Sequence, residues 1–396
     1  MHLLPENGII RQKGGRFMRY TIKHFDLPLL SFEANMDSAS VDLRIVHIYE
    51  ENRAFFPLNL SLTENGLERW LRHRTIPKNR AYVDALLSKS GLSLNRPLGI
   101  IAVCKGLSLN DCYWVDREGS GDTFDKINLY DNRFSQVLAS IAFTGYGSSV
   151  RSSLASSPEF STDGMLPKCW RRMGGKIYLY KGGTSGFSNT GFEPYSELYA
   201  YQVARVMGVS AVPYTLTKDL KKTLCSKCEL FTSKEYSYLP VGQLVASGGM
   251  KAVYSYYQQL GTPFMDALED MIVFDAVICN TDRHFGNFGV LVDNRTNTIA
   301  KPAPLFDHGN SLFNMGGADI WENPKAFEEY VKTRLPVAYD DFFAEARRMM
   351  KPRHHAMLHK LANFRFDRRA TRYNLPPARL KTLEKEIQRR ARVLLE

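Results

Sequence analysis

The chain has 396 residues, 44% apolar and 23% charged, which suits two or three packed domains and excludes disorder throughout. Its longest clean apolar run, Pro97 to Cys104, is eight residues, against about twenty for a bilayer-spanning helix, so no membrane span is expected. The net charge is +11, but thirteen basic and four acidic residues lie between Lys351 and Glu396, leaving a nearly neutral body with a basic C-terminal segment.

Residues 1–18 read as a disordered leader, with a start at Met18 as one option. Pro5 and Glu6 interrupt the apolar stretch that a secretory signal needs. With six scattered cysteines, a reducing cytoplasm is the expected location, and export to a host cell is the alternative. Arg19 to Ile22 opens an N-terminal α/β subdomain, residues 19–150, whose role the sequence does not give. Leu62 to Arg72 reads as a helix with Leu67, Trp70 and Leu71 on one side. Asn79 to Ser88 reads as another, with Val83, Leu86 and Leu87, and Pro77 separates the two. Leu98 to Cys104 reads as a buried strand, and Phe134 to Phe143 as a helix. The Gly- and Ser-rich stretch from Thr144 to Pro158 marks a boundary.

Lys168 to Arg172, Gly174-Gly175 and Lys176 to Lys181 form a strand, a tight turn and a strand. A helix over Pro194 to Met207 stops at Gly208. Val212 to Thr217 and Thr223 to Leu230 make a second pair. Within it Cys225-x-x-Cys228 lacks the second half-site that zinc needs, so the cysteines read as small buried residues. Thr262, as a cap, and Pro263 open a helix that runs to Cys279. Phe288 to Val292 and Asn297 to Ala300 bracket a turn. From Trp321 the chain is mainly helical, and Leu380, Leu383, Ile387, Ala391 and Leu394 give the last, basic helix an apolar face. Strands precede helices, which predicts an α+β architecture: a sheet-rich lobe over 151–235 and a helical lobe over 236–396. A cleft between two such lobes suits a nucleotide.

The chemistry concentrates in Asn280-Thr-Asp-Arg-His-Phe-Gly-Asn-Phe-Gly289 and Pro304-Leu-Phe-Asp-His-Gly-Asn-Ser311. Phosphoryl transfer needs a carboxylate to orient the attacking hydroxyl, and magnesium takes hard oxygen ligands. Protein kinases set a base five residues before a metal-binding Asn, and a second metal ligand in a later Asp-x-Gly turn. Asp282 and Asn287 have that spacing, and Asp307-His308-Gly309 has that form. His284 sits between the first two, as a second acid–base candidate or a brace of the loop. Kinases also hold phosphates with a strand lysine paired to a helix acid; Lys181 ends its strand and Glu197 lies sixteen residues later. Gly164, in Ser161 to Lys168, lets backbone N–H groups approach oxyanions.

On these residues, Ser161 to Ser311 resembles the HipA-like kinases of bacterial toxin–antitoxin systems. The Ser161-x-x-Gly164-x-x-x-Lys168 loop, Lys181, a Glu197-bearing helix ending in Met207-Gly208-Val209, a Cys228-Glu-Leu-Phe231 hinge, the Asp282 loop and Pro304-Leu-Phe-Asp307 follow in the family's order. The Asp-Arg-His-x-x-Asn string is also similar to phosphoinositide kinases. The resemblance implies a bilobal protein-kinase-like fold, ATP and Mg2+ as cofactors, Asp282 as base, and Asn287 and Asp307 as metal ligands. It places Lys181, Gly164 and Lys168 on the phosphates and the backbone of Glu229 and Phe231 on the adenine. Ser161 stands where the family's serine is autophosphorylated. A translation enzyme as substrate and a small DNA-binding antitoxin as partner are implied, whereas residues 1–150 depart from the family's usual N-terminal subdomain. The expected function is a serine/threonine protein kinase. The alternatives are a lipid kinase and a nucleic-acid-binding regulator that grips phosphates through its basic C-terminal segment.

Overall fold

The computed structural model describes residues 11–12, 15–35, 42–150, 157–186, 189–218 and 223–396. The leader expected over 1–18 falls mostly outside them, and the stretch from Thr144 to Pro158 partly so. The chain divides into two compact units. One comprises Met1–Gly175, Thr232–Ser237 and Asp293–Thr298; the other comprises Lys176–Phe231, Tyr238–Val292 and Ile299–Glu396.

The first unit is built on an antiparallel sheet, in the order Leu43–Ile48, Leu27–Ala34, Met18–His24, Tyr113–Arg117. Alternation along Met18–His24 buries Tyr20, Ile22 and His24, and the register sets Tyr20 opposite Phe32 and Ile22 opposite Leu30. Helix Glu64–Arg72 packs Leu67, Trp70 and Leu71 into the same core. Its start is fixed by Thr63, whose hydroxyl accepts from the Gly66 N–H at 3.0 Å. The next helix, Val83–Lys89, begins later than expected, because Tyr82 takes a left-handed conformation (φ 59°) and cannot continue a helix backwards.

Leu98 to Cys104 is not a strand. It lies within helix Pro97–Cys104. Every residue there is apolar or glycine, so periodicity could not separate the two states. Burial at Pro97, Leu98, Ile100, Ile101 and Cys104 with Ala102 exposed follows the helical repeat, and Pro97 suits a first turn.

In the second unit the strands Lys176–Lys181, Leu224–Glu229 and Tyr214–Lys218 pair antiparallel in that order. Cys225 and Cys228 are both buried in the middle strand, and among the described residues no group of three His, Cys, Asp or Glu could hold a metal. Helix Glu193–Met207 ends at Gly208, whose left-handed backbone (φ 88°) returns its N–H to Ala204 O. Helix Thr262–Ile278 is capped by Gly261 rather than Thr262, with no side-chain cap bond. All eight residues from Met271 to Ile278 are buried. This helix therefore runs through the core, and the one charge among those eight, Asp275, needs a partner there.

The C-terminal helix, Pro377–Leu395, buries the expected face: Leu380, Leu383, Ile387, Ala391 and Leu394 are each 3% exposed or less. Among the described residues no helix is long and apolar enough to cross a membrane. Because this helix is docked through its leucines, Leu383→Ala is expected to cost about 2–4 kcal/mol in urea denaturation. Lys385→Ala on the exposed face should stay within about 0.5 kcal/mol.

Candidate active site

Asp275 finds its partner eight residues on. Arg283, 1% exposed, donates from Nε to Asp275 Oδ2 at 2.9 Å and from Nη2 to Oδ1 at 3.0 Å. Its Nη1 donates to two backbone carbonyls, Asn287 O at 3.1 Å and Phe306 O at 2.6 Å, and Nη2 also lies 3.0 Å from His308 Nδ1. Burial works against the Arg283 charge, but the Asp275 carboxylate outweighs it and holds the pKa above its ordinary value. One guanidinium thus joins the Asn280–Gly289 loop to the Asp307 turn. The helix leads into that loop through Cys279, whose left-handed backbone (φ 52°) ends it sharply.

Inside the loop Asn280 Nδ2 donates to Asp275 Oδ1 at 3.1 Å, and Asn280 Oδ1 accepts from the Asp282 N–H at 3.3 Å. Asp282 is half-buried, and its Oδ2 accepts from Asn310 Nδ2 at 2.9 Å. Asn287, 7% exposed, turns its amide N–H toward Asp282 O at 3.4 Å, which leaves its amide oxygen as the donor atom for a ligand. His284 is exposed and accepts from the Gly286 N–H at 3.1 Å, a bond that braces the loop.

Lys181 and Glu197 meet as the motif requires. Lys181 Nζ donates to Glu197 Oε1 at 2.9 Å and also to Asp307 Oδ1. Burial alone would push the Lys181 ammonium down; the Asp307 and Glu197 carboxylates outweigh it and raise its pKa above the ordinary lysine value. The other Glu197 oxygen accepts from the His308 N–H at 2.7 Å. Asp307 has a left-handed backbone (φ 57°), a conformation that costs a non-glycine residue about 1–2 kcal/mol. It is held by its N–H to the Tyr214 hydroxyl at 3.2 Å, and two backbone bonds tie nearby Leu305 to Ser210 and Val212. Gly309 follows because a side chain would not fit easily: a Cβ there would lie 3.3 Å from Glu193 Cβ. His308 is fully buried, and burial, with the Arg283 guanidinium beside it, drives its pKa well below the usual imidazole value.

At the hinge, the Leu230 N–H donates to Ile177 O at 2.9 Å. The Glu229 side chain pairs with Lys176 at the surface. The Phe231 ring packs 5.5 Å from Tyr238 and 5.3 Å from Phe306. The other predicted residues, Ser161, Gly164 and Lys168, belong to the first unit. There Arg80 fastens both ends of their loop, donating to Glu159 O at 2.6 Å and to Lys168 O at 2.9 Å. Gly164 is left-handed (φ 87°), Lys168 Nζ donates to Asp163 O at 2.7 Å, and Ser161 Oγ donates to Leu107 O at 2.7 Å.

Sequence reasoning missed Asp275, Asn310 and the role of Arg283. The signal for Asp275 was present, since a lone acid in an eight-residue apolar stretch of helix must be paired. It also missed Glu193, whose Oε1 accepts from the Thr184 hydroxyl at 2.7 Å and so holds the Gly182–Gly186 segment to the helix of Glu197.

No family model matches the sequence, and no curated protein does. Among solved structures the chain is similar to HipA of the Shewanella oneidensis MR-1 toxin–antitoxin system, in complex with HipB and operator DNA. The TM-score is 0.56 at 13% identity, over 95% of this chain and 97% of that one. The fold is that of the HipA-like kinases. The chain also has a likeness to the Helicobacter pylori proinflammatory kinase CtkA, with TM-score 0.47 and 16% identity over 59% of this chain and 91% of that one. The HipA likeness spans nearly the whole chain and so extends well beyond the Ser161 to Ser311 segment that carries the motifs.

Removing Arg283 leaves Asp275 buried without a counter-charge, with only the Asn280 amide bonded to its carboxylate among the described residues. Arg283→Met is therefore expected to destabilise the protein by about 3–5 kcal/mol in urea denaturation. The double variant Asp275→Leu, Arg283→Met should lose clearly less than the two single changes added together.

Proposed function

We propose that the chain is an ATP-dependent serine/threonine protein kinase that transfers the γ-phosphoryl group to a protein hydroxyl. The observation that carries this reading is Lys181, a buried strand lysine bonded at once to a helix glutamate, Glu197, and to Asp307 of an Asp-x-Gly turn. Arg283 ties that turn to the loop bearing Asp282 and Asn287. A structural brace alone would not require the surrounding kinase order of strand lysine, helix acid, Asp-x-x-x-x-Asn loop and Asp-x-Gly turn.

In this reading Lys181 holds phosphate oxygens and Glu197 keeps the lysine in place. Asp282 orients the acceptor hydroxyl and takes its proton, and the His284 bond to Gly286 steadies the loop around it. The donor set suits magnesium: the Asn287 amide oxygen, whose Nδ2 is the atom that bonds the loop, and an Asp307 carboxylate 34% exposed are hard oxygen ligands. Magnesium, when bound, offsets the charge on the triphosphate. The backbone of Glu229 and Phe231 meets the adenine edge, with the Phe231, Tyr238 and Phe306 rings as apolar packing. Within the first unit, Gly164 and Lys168 are the candidate phosphate-binding residues, and Ser161 is the candidate for autophosphorylation. Most of the rate enhancement comes from positioning and charge stabilisation.

Incubation with radiolabelled ATP and magnesium tests this directly. The wild-type chain should label itself or an added protein, and chelation of the metal should stop the transfer. Asp282→Ala should reduce labelling at least about a hundredfold, and Asp307→Ala and Lys181→Met should abolish it with the fold retained by circular dichroism. Undiminished labelling by Asp307→Ala would overturn the reading.

An antitoxin-like protein is a candidate partner, by likeness to the HipA that was solved with HipB. Nucleic acid has separate support. Lys360, Arg365, Arg368, Arg369, Arg372, Lys381 and Lys385 are exposed, while Glu384 and Glu386 of the same segment are buried. Arg379 and Arg390 are buried as well, so the outward face keeps the basic excess of the segment. Binding of duplex DNA should weaken steeply as salt rises, and Arg368→Glu with Arg369→Glu should flatten that dependence. Salt-independent binding, or none at low salt, would remove this partner.

A further inference from the structure

Asn310 lies just past the Asp-x-Gly turn, three residues after Asp307, yet it makes the only hydrogen bond to the Asp282 carboxylate seen among the described residues. Its Nδ2 donates to Asp282 Oδ2 at 2.9 Å. Its own backbone is pinned from the other side: Asn310 O accepts from both the N–H and the hydroxyl of Thr281, each at 3.1 Å. The Asn314 amide, at 3.5 Å from Asn310 Oδ1, lies on the remaining face. The Asn310 backbone is thus held by the residue immediately before Asp282, and its side chain is turned onto one oxygen of that carboxylate.

We infer that Asn310 is a positioning residue for phosphoryl transfer: by occupying Asp282 Oδ2 it fixes the carboxylate plane and reserves Oδ1 for the acceptor hydroxyl. This rests on the kinase reading given above. The physical reason is geometric. A carboxylate turns about one bond with a broad, roughly two-fold preference, so an unanchored Asp282 would spread its oxygens over many directions. An amide is a neutral donor, so it can orient the carboxylate without the pull on the proton-accepting oxygen that a lysine or arginine would exert. The same contact joins the two segments that must act together, because Asn310 follows the Asp307 turn and Asp282 sits on the other loop. A misplacement of the base by about 1 Å is enough to cost up to about a hundredfold in rate.

The test separates this role from a brace. Asn310→Leu keeps the γ-branched shape and the backbone carbonyl that Thr281 uses, and removes the donor to Asp282 along with the oxygen at 3.5 Å from the Asn314 amide. The expected result is a fall in kcat of about tenfold to a hundredfold, with the KM for ATP and the melting temperature unchanged. Asn310→Gln, which keeps the donor on a longer arm, should recover part of kcat. Full kcat in Asn310→Leu would overturn the inference while the active wild type upholds the kinase reading. So would a matched loss in Leu and Gln variants with a lowered melting temperature, which is the behaviour of a brace. A wild-type chain that transfers no phosphoryl group would overturn the reading and the inference together.

Discussion

The site depends on the need to neutralise two cations taken out of water. Burying an isolated ammonium or guanidinium costs several kcal/mol, and the cost is offset only by close, well-directed carboxylates. Lys181 meets that need with Glu197 and Asp307, and Arg283 with Asp275. The two clusters are not separate, because Glu197 also accepts from the His308 N–H and His308 Nδ1 faces Arg283. A single network therefore runs from Lys181 through Glu197 and His308 to Arg283 and Asp275. Its members come from a strand, two helices, a loop and a turn, so satisfying the charges fixes the relative placement of all five within that unit.

The network has a polarity that matters for chemistry. Glu197 is fully buried, the Lys181 side chain is 8% exposed and the Asp307 side chain 34%. Asp282 is half-buried and His284 exposed. Rigid, dry contacts lie at the base, and the oxygens suited to meet a ligand lie at the rim. The left-handed backbone of Asp307 fits this arrangement. Its strain is held by bonds on both sides, from Tyr214 to its own N–H and from Glu197 to the next N–H. Such conformations persist where the surroundings over-determine them.

The order of strands and helices in the second unit was legible because its signals are local. Lys176–Lys181 carries an apolar and aromatic run bracketed by glycines, Gly208 stops a helix, and the five leucine, isoleucine and alanine positions of the last helix share one face. Pro97–Cys104 was misread because an unbroken apolar run has no period to read. The late start at Val83 was hidden because it depends on one backbone angle at Tyr82. In the site, Lys181, Glu197, Asp282, Asn287 and Asp307 stood out as residue types at fixed spacings. Asn310 and Glu193 did not, since their roles arise from partners brought together only by the fold.

The network asks little of side-chain identity at several of its positions. Arg283 reaches the opposite turn through the carbonyl of Phe306, and its own loop through the carbonyl of Asn287. Any residue at those positions would offer the same acceptor. His308 likewise serves Glu197 through its backbone N–H. Few side chains must therefore keep their identity for the charges to be satisfied. The apolar residues around them need only fill the volume, which many combinations do. The sequence is therefore held most tightly at the two cations and their carboxylates, and least where a position contributes only a backbone group.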